Sequence, residues 1–149
     1  MIDPRLIDAA KAEDVRGAVA QILRDDLNAD RDRARRRLEA GGDGADVARL
    51  YAKAADRMLV NLWDFTTQVL YPQPSDKLTL VAVGGYGRGV LAPYSDLDLL
   101  FLRRPRAASK RSEQVVEFVH YVLWDLGLKV GSAFRSLGEA LELADSDMT

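Results

Sequence analysis

Through the first half of the chain, apolar residues return every three or four positions, the spacing that places them on one face of an α-helix. Val15, Val19, Ile22, Leu23 and Leu27 predict an amphipathic helix over residues 14–27. Residues 30–39 keep helical character but are dominated by charge, with Arg31, Arg33, Arg35, Arg36 and Arg37 set among Asp30, Asp32 and Glu39. Opposite-sign neighbours of this kind read first as a solvated helix face and second as a docking patch for an acidic partner. Gly41-Gly42-Asp43-Gly44 interrupts the pattern. Val47, Leu50, Ala54, Met58, Leu62, Phe65 and Val69 then hold helical spacing for roughly six turns, and Pro72 and Pro74 end the helix.

The period changes in the second half. Leu78-Thr79-Leu80-Val81-Ala82-Val83 is a short apolar run that reads as a buried strand and stops at Gly84-Gly85. Residues 97–102 form a second such run, closed by Arg103-Arg104-Pro105-Arg106, which reads first as a plain basic loop and second as one that could reach a phosphate. Val115, Val119, Val122, Leu123 and Leu126 share one side of a helix over 112–126, with Gly127 as its C-terminal cap and Trp63 and Trp124 as expected core anchors. Residues 128–135 suit a third strand, and Ser136-Leu137-Gly138-Glu139 fits a capping box opening a last helix. The predicted class is α+β. A helical segment, residues 1–74, packs on a small sheet domain, residues 75–149, and the polar stretch 145–149 reads as a boundary inside that domain.

Composition narrows the chemistry. The formal net charge of −2 supplies no global positive field for nucleic acid or an anionic membrane, so neither is an expected partner, and any nucleotide site must be built locally. With no cysteine there is no disulfide scaffold, thiolate nucleophile or Cys-ligated zinc. The single histidine, His120, excludes any site needing two within the chain and is expected at a polar helix edge. No signal-peptide core opens the sequence, and its apolar runs fall far short of the roughly 18 residues that span a bilayer. A cytoplasmic location is the expectation.

Two segments carry candidate chemistry. Residues two apart on a strand share a face, so Asp96 and Asp98 point the same way at the head of an apolar run. Paired carboxylates beside apolar surface are costly unless compensated, and a divalent cation removes the penalty. Hard oxygen donors without His or Cys favour Mg²⁺ or Mn²⁺. Gly84-Gly85-Tyr86-Gly87-Arg88-Gly89 follows a strand, where a turn entering a short helix exposes N–H groups that bind phosphate. Tyr86 could stack on a base or brace the turn. A phosphate cradle and a metal pair about a dozen residues apart is what a nucleoside triphosphate with its metal requires. Each piece alone is commonplace: a solvated strand end, a turn. Their combination is much more specific.

The run Val83 to Gly89, followed by Leu91-Ala92-Pro93-Tyr94-Ser95-Asp96-Leu97-Asp98-Leu99-Leu100, closely resembles the N-terminal nucleotidyltransferase domain of the bifunctional uridylyltransferase/uridylyl-removing enzymes, which modify the nitrogen-regulatory PII protein. Residues 123–131 and Arg135-Ser136 extend the likeness, which covers about residues 78–149. The resemblance implies a polymerase-β-like fold, a small mixed sheet flanked by helices. It implies that Gly84 and Gly85 hold the triphosphate of UTP, that Asp96 and Asp98 are the catalytic ligands of Mg²⁺, and that Arg88 and Ser95 are neighbouring phosphate or metal-shell contacts. The implied reaction is attack of a PII tyrosine hydroxyl on the α-phosphorus with release of pyrophosphate.

The sequence departs from that pattern in two ways. Transferases of this superfamily often use a third carboxylate on a later strand. Here that strand offers Lys129, Gly131, Ala133 and Arg135 on one face and Leu128, Val130, Ser132 and Phe134 on the other, with Ser132 where the family pattern has His. The general base is therefore unassigned. The family is also several times longer, with a hydrolase domain whose His-Asp pair has no counterpart in these residues. Three other readings stay open: adenylyl rather than uridylyl transfer, a nucleotide-sensing domain without catalysis, and an interaction module that binds no nucleotide.

Overall fold

The computed structural model describes residues 1–72, 78–104 and 110–147. Of the positions singled out above, Pro74, Pro105, Arg106, Met148 and Thr149 lie outside the described residues.

Among the described residues, four helical stretches precede the sheet. The first, α1 (Pro4–Ala9), is absent from the periodicity reading, yet its signals are local: Asp3 accepts a hydrogen bond from the Arg5 N–H, and Pro4 stands where a helix tolerates proline. The segments 14–27 and 30–39 are one continuous helix, α2 (Val15–Glu39), capped by Asp14. Nothing at Asn28-Ala29 breaks it, and Asp30 binds both Arg33 one turn on and Arg57 of the next helix. After Gly41, at φ +90°, Asp43 caps α3 (Gly44–Phe65).

The expected helix to Val69 changes character at its end. Thr66–Leu70 widens into a π-turn, with the Tyr71 N–H donating to Thr66 O, five residues back. Thr66 Oγ1 donates to Leu62 O at 2.6 Å and Thr67 Oγ1 to Trp63 O at 2.8 Å, threonine back-bonding of the kind that bends helices, and it falls where the helix widens.

The sheet has three strands in the order β1-β2-β3. Strand β1 (Leu78–Ala82) runs antiparallel to β2 (Leu97–Arg103), and β2 runs parallel to β3 (Val130–Ser136). A single-turn helix, α4 (Gly84–Gly87), fills the β1–β2 connection. The parallel pair is joined by α5 (Lys110–Asp125), as parallel strands require a crossover. Gly127, at φ +73°, closes α5 in a Schellman arrangement: its N–H reaches Trp124 O, and the Leu128 N–H reaches Leu123 O. Ser136 and Glu139 cap one another at the start of α6 (Leu137–Asp147), the predicted capping box.

Alternation along β2 sets the two faces of the sheet. Leu97, Leu99 and Phe101 are buried in one cluster with Leu23 and Leu27 of α2, Leu59, Leu62 and Phe65 of α3, and Val119, Val122 and Leu123 of α5. Each such side chain contributes about 1.5–3 kcal/mol. Asp98, Leu100 and Leu102 point to the other face and are only half-buried. Trp63 joins the cluster, its ring 6.2 Å from that of Phe101. Trp124 does not. It is 60% exposed, on the outer side of α5, because the helix faces the core through Val119, Val122 and Leu123 instead. Among the described residues no helix is long and apolar enough to cross a membrane.

Candidate active site

Strand β1 ends beside the start of β2, and the chain is pinned there by the Val83 N–H, which donates to Asp98 O at 2.9 Å. The next residue, Gly84, has φ +62°, a left-handed conformation that costs other residues about 1–2 kcal/mol. Space demands glycine as strongly as the dihedral does. A Cβ on Gly84 would overlap the Asp98 carboxylate at Oδ2. On the other side, Gly131 is the register partner of Asp98 across the parallel pair, and a Cβ there would stand 2.7 Å from Oδ1. The Asp98 carboxylate thus sits in a slot between two glycines from different elements.

The glycine turn supplies donors beside this slot. The N–H groups of Gly87, Arg88 and Gly89 are used within the turn, bonding to Val83 O, Gly85 O and Tyr86 O. Those of Gly84, Gly85 and Tyr86 begin α4 and have no partner among the described residues, as expected of the first turn of a helix. Arg88 folds back so that its Nη2 would lie 3.7 Å from a Cβ on Gly85. Gly84, Gly85, Arg88 and Asp98 are therefore together, with Gly131 as a fifth member.

Asp96 is exposed and lies one residue before β2 begins. Ser95 lines a separate recess of about 500 Å³, shared with Arg31, Arg35, Tyr51, Tyr94 and Lys129. Arg31 is therefore part of a recess and not only of a solvated face, and burial lowers its pKa from the usual arginine range.

Tyr86 points inward, with 4% of its surface exposed, so its ring is not available to stack on a base. Its hydroxyl donates to Oδ1 of Asp56 on α3 at 2.5 Å. Burial first, and this bond second, raise the phenol well above the ordinary tyrosine range.

The side chains here offer only carboxylate oxygens, from Asp98 and Asp96, a donor chemistry that would suit Mg²⁺ or Mn²⁺, and the glycine slot leaves one carboxylate room beside N–H groups without partners among the described residues. Among the described residues no cluster of three or more His, Cys, Asp or Glu side chains could hold a metal, so such an ion would complete its shell with water and substrate oxygens. The register also shows what β3 brings to this face: Gly131, Ala133 and Arg135, none of them acidic.

His120 is not a plain helix-edge residue. Its Nε2 lies 2.6 Å from Ser132 Oγ, tying α5 to β3, and its ring packs 5.3 Å from that of Phe101. Burial lowers its pKa, partly offset by a hydrogen bond to the Val116 backbone. With Trp124, Tyr121, Val130 and Phe134 it lines a groove of about 450 Å³ on the opposite face of β3 from Gly131.

Sequence reasoning passes over Gly131 as a site residue, because a glycine in a strand gives no local sign that a carboxylate on the neighbouring strand needs its space. Asp56 is equally silent, one acid among several on a charged helix face.

The family described as Nucleotidyltransferase domain matches residues 69–147. The bifunctional uridylyltransferase/uridylyl-removing enzyme of Phenylobacterium zucineum is 45% identical over 138 residues, covering 90% of this chain and 15% of that protein. Its counterpart in Azospirillum brasilense is 45% identical over 139 residues (91% and 15%), and that of Gluconobacter oxydans 42% over 142 (95% and 15%). The chain thus spans about 15% of the length of these relatives. No solved structure matches significantly. The glycine turn, the carboxylate slot and the mixed sheet all fall within the matched residues, and the chain belongs to the nucleotidyltransferase domain family.

Proposed function

We propose that this domain transfers UMP from UTP to a tyrosine hydroxyl of a PII signalling protein, releasing pyrophosphate. Nucleotidyl transfer is the activity of the family. The nucleotide and the acceptor are inferred from the uridylyltransferase relatives and from the Gly-Gly-Tyr-Gly-Arg-Gly and Ser-Asp-Leu-Asp motifs. The observation that carries the reading is the Asp98 carboxylate seated between Gly84 and Gly131, beside three N–H groups without partners among the described residues.

In this reading the N–H groups of Gly84 and Gly85 receive phosphate oxygens, and Arg88 adds a cation above them. Asp96 and Asp98 would hold Mg²⁺, which when bound neutralises charge developing on the phosphate oxygens. The tyrosine oxygen bonds to the α-phosphorus and gives up its proton to solvent, the bond from the α-phosphorus to the β-phosphate oxygen breaks, and pyrophosphate departs. Strand β3 offers no carboxylate on the Asp98 face to accept the phenolic proton. That absence favours one alternative, a domain that binds nucleotide without transferring it.

Calorimetric titration with UTP, with and without Mg²⁺, tests the site. Binding should require the metal, be lost in Asp98→Asn, and exceed ATP binding. Equal binding by wild type and a folded Asp98→Asn variant would sink the assignment. Pyrophosphate release on adding PII separates transfer from sensing.

A further inference from the structure

We infer that Asp56, on a helix outside the matched family residues, is a positioning residue for the nucleotide site, acting through Tyr86 to hold the glycine turn in its phosphate-binding shape. The inference rests on the reading of that turn as the phosphate cradle.

The turn is held at two ends by different means. At its start, the Val83 N–H is bonded to Asp98 O and Gly84 closes on the Asp98 carboxylate. From there to Gly89 the turn is stabilised internally by three backbone hydrogen bonds, and a four-residue helix is too short to be stable by itself. Tyr86 is its only buried side chain. The ring enters the core cluster, and the hydroxyl ends on Asp56, thirty residues earlier in sequence. The Tyr86 N–H is itself one of the three unpartnered donors. A shift of this side chain therefore moves the donors directly, and the anchor that opposes the shift stands on α3.

The chemistry on the two sides is unequal, which makes the inference testable. Asp56 is exposed, so removing it leaves no buried charge, and alanine is a good helix former at an exposed position of α3. Truncation removes the acceptor of a nearly buried hydroxyl, while Asp56→Asn keeps an oxygen that can accept the same bond. A merely structural residue would lower stability throughout. A positioning residue loosens the turn and the nucleotide while leaving the rest of the fold alone.

The experiment is amide hydrogen exchange on the whole chain, read peptide by peptide, for wild type, Asp56→Ala, Asp56→Asn and Tyr86→Phe, beside UTP–Mg²⁺ titration of the same four proteins. Asp56→Ala and Tyr86→Phe should each speed exchange of the bonded amides of the turn, those of Gly87, Arg88 and Gly89, by about tenfold and weaken UTP by a similar factor. Exchange in α5 and β2 should not change, and Asp56→Asn should stay near wild type. A fifth protein carrying both Asp56→Ala and Tyr86→Phe should be no worse than either single variant, since both remove the same bond. Unchanged exchange over 84–89 in both variants overturns the inference, as does a loosening spread evenly over the fold. A wild-type chain that binds no UTP counts against the nucleotide reading alone. The exchange of residues 84–89 then still decides whether Asp56 holds the turn.

Discussion

Replacing Gly131 by alanine should separate stability from function. Gly131 lies within β3 without a left-handed φ, so its backbone accepts an L-residue. Alanine there reduces the freedom of the unfolded chain, worth about 0.4–1 kcal/mol in favour of folding. The opposing cost comes from one place. The new methyl would stand 2.7 Å from Oδ1 of Asp98, against 3.4 Å for ordinary contact, so the carboxylate must give way by roughly 0.7 Å (3.4 − 2.7). Its escape lies toward Gly84, on the side of Oδ2. An off-rotamer side chain costs about 0.5–1.5 kcal/mol, so the two terms nearly cancel and Tm should stay within about 3 °C of wild type. Metal-dependent UTP affinity should not survive so well. A misplacement near 1 Å at a reacting group can cost on the order of a hundredfold, and a tenfold loss, about 1.4 kcal/mol, is the least expected here. Thermal unfolding and calorimetric titration on one preparation give both quantities. If Gly131→Ala binds UTP–Mg²⁺ within about twofold of wild type, the slot does not set the carboxylate and the reasoning fails.

Gly84→Ala should lose both quantities together, since it adds a left-handed backbone penalty of about 1–2 kcal/mol to the same kind of overlap; a normal Tm would contradict that. Leu62→Ala, at a fully buried position facing the sheet, should destabilise by about 2–5 kcal/mol, measured by urea titration. His120 gives a pH signature. Burial lowers its folded pKa below the ordinary value of 6.5, so the unfolded chain binds more protons between those two values, and stability falls as pH drops through that window. His120→Gln should flatten this part of the Tm profile just below the ordinary histidine value relative to wild type, and an unchanged slope would assign it to other groups.

Much of the fold could be read from the sequence because its signals are local. The capping box at Ser136 and Glu139, the Gly127 terminus and the strand beside Gly84 each depend on residues within one turn of one another, and all three stand where the pattern puts them. Helix α1 was equally legible from Asp3-Pro4 but is too short to show a period. The π-turn was less so, because two threonines in a helical run are ordinary until both bond back to carbonyls. Trp124 misleads for a different reason. Its helical position is flanked by apolar residues, but the buried arc of α5 is narrow, and a large indole one step off that arc lines a groove instead.

The candidate site divides along the same line. Gly84, Gly85, Arg88 and Asp98 come from one strand-turn-strand unit, so their proximity follows from chain connectivity, and the sequence places them together before any long-range contact is known. Gly131 and Asp56 reach the site only through tertiary structure, one by parallel pairing of β3 with β2 and the other by packing of α3 behind the turn. Their physical roles also hide them. Gly131 contributes an absence, the space in which a carboxylate sits. Asp56 contributes an acceptor to a side chain turned into the core. Residues that touch a substrate must display its chemistry and can be guessed from type and spacing. Residues that give those groups room or hold them still display nothing but fit, and only the register and the packing reveal them.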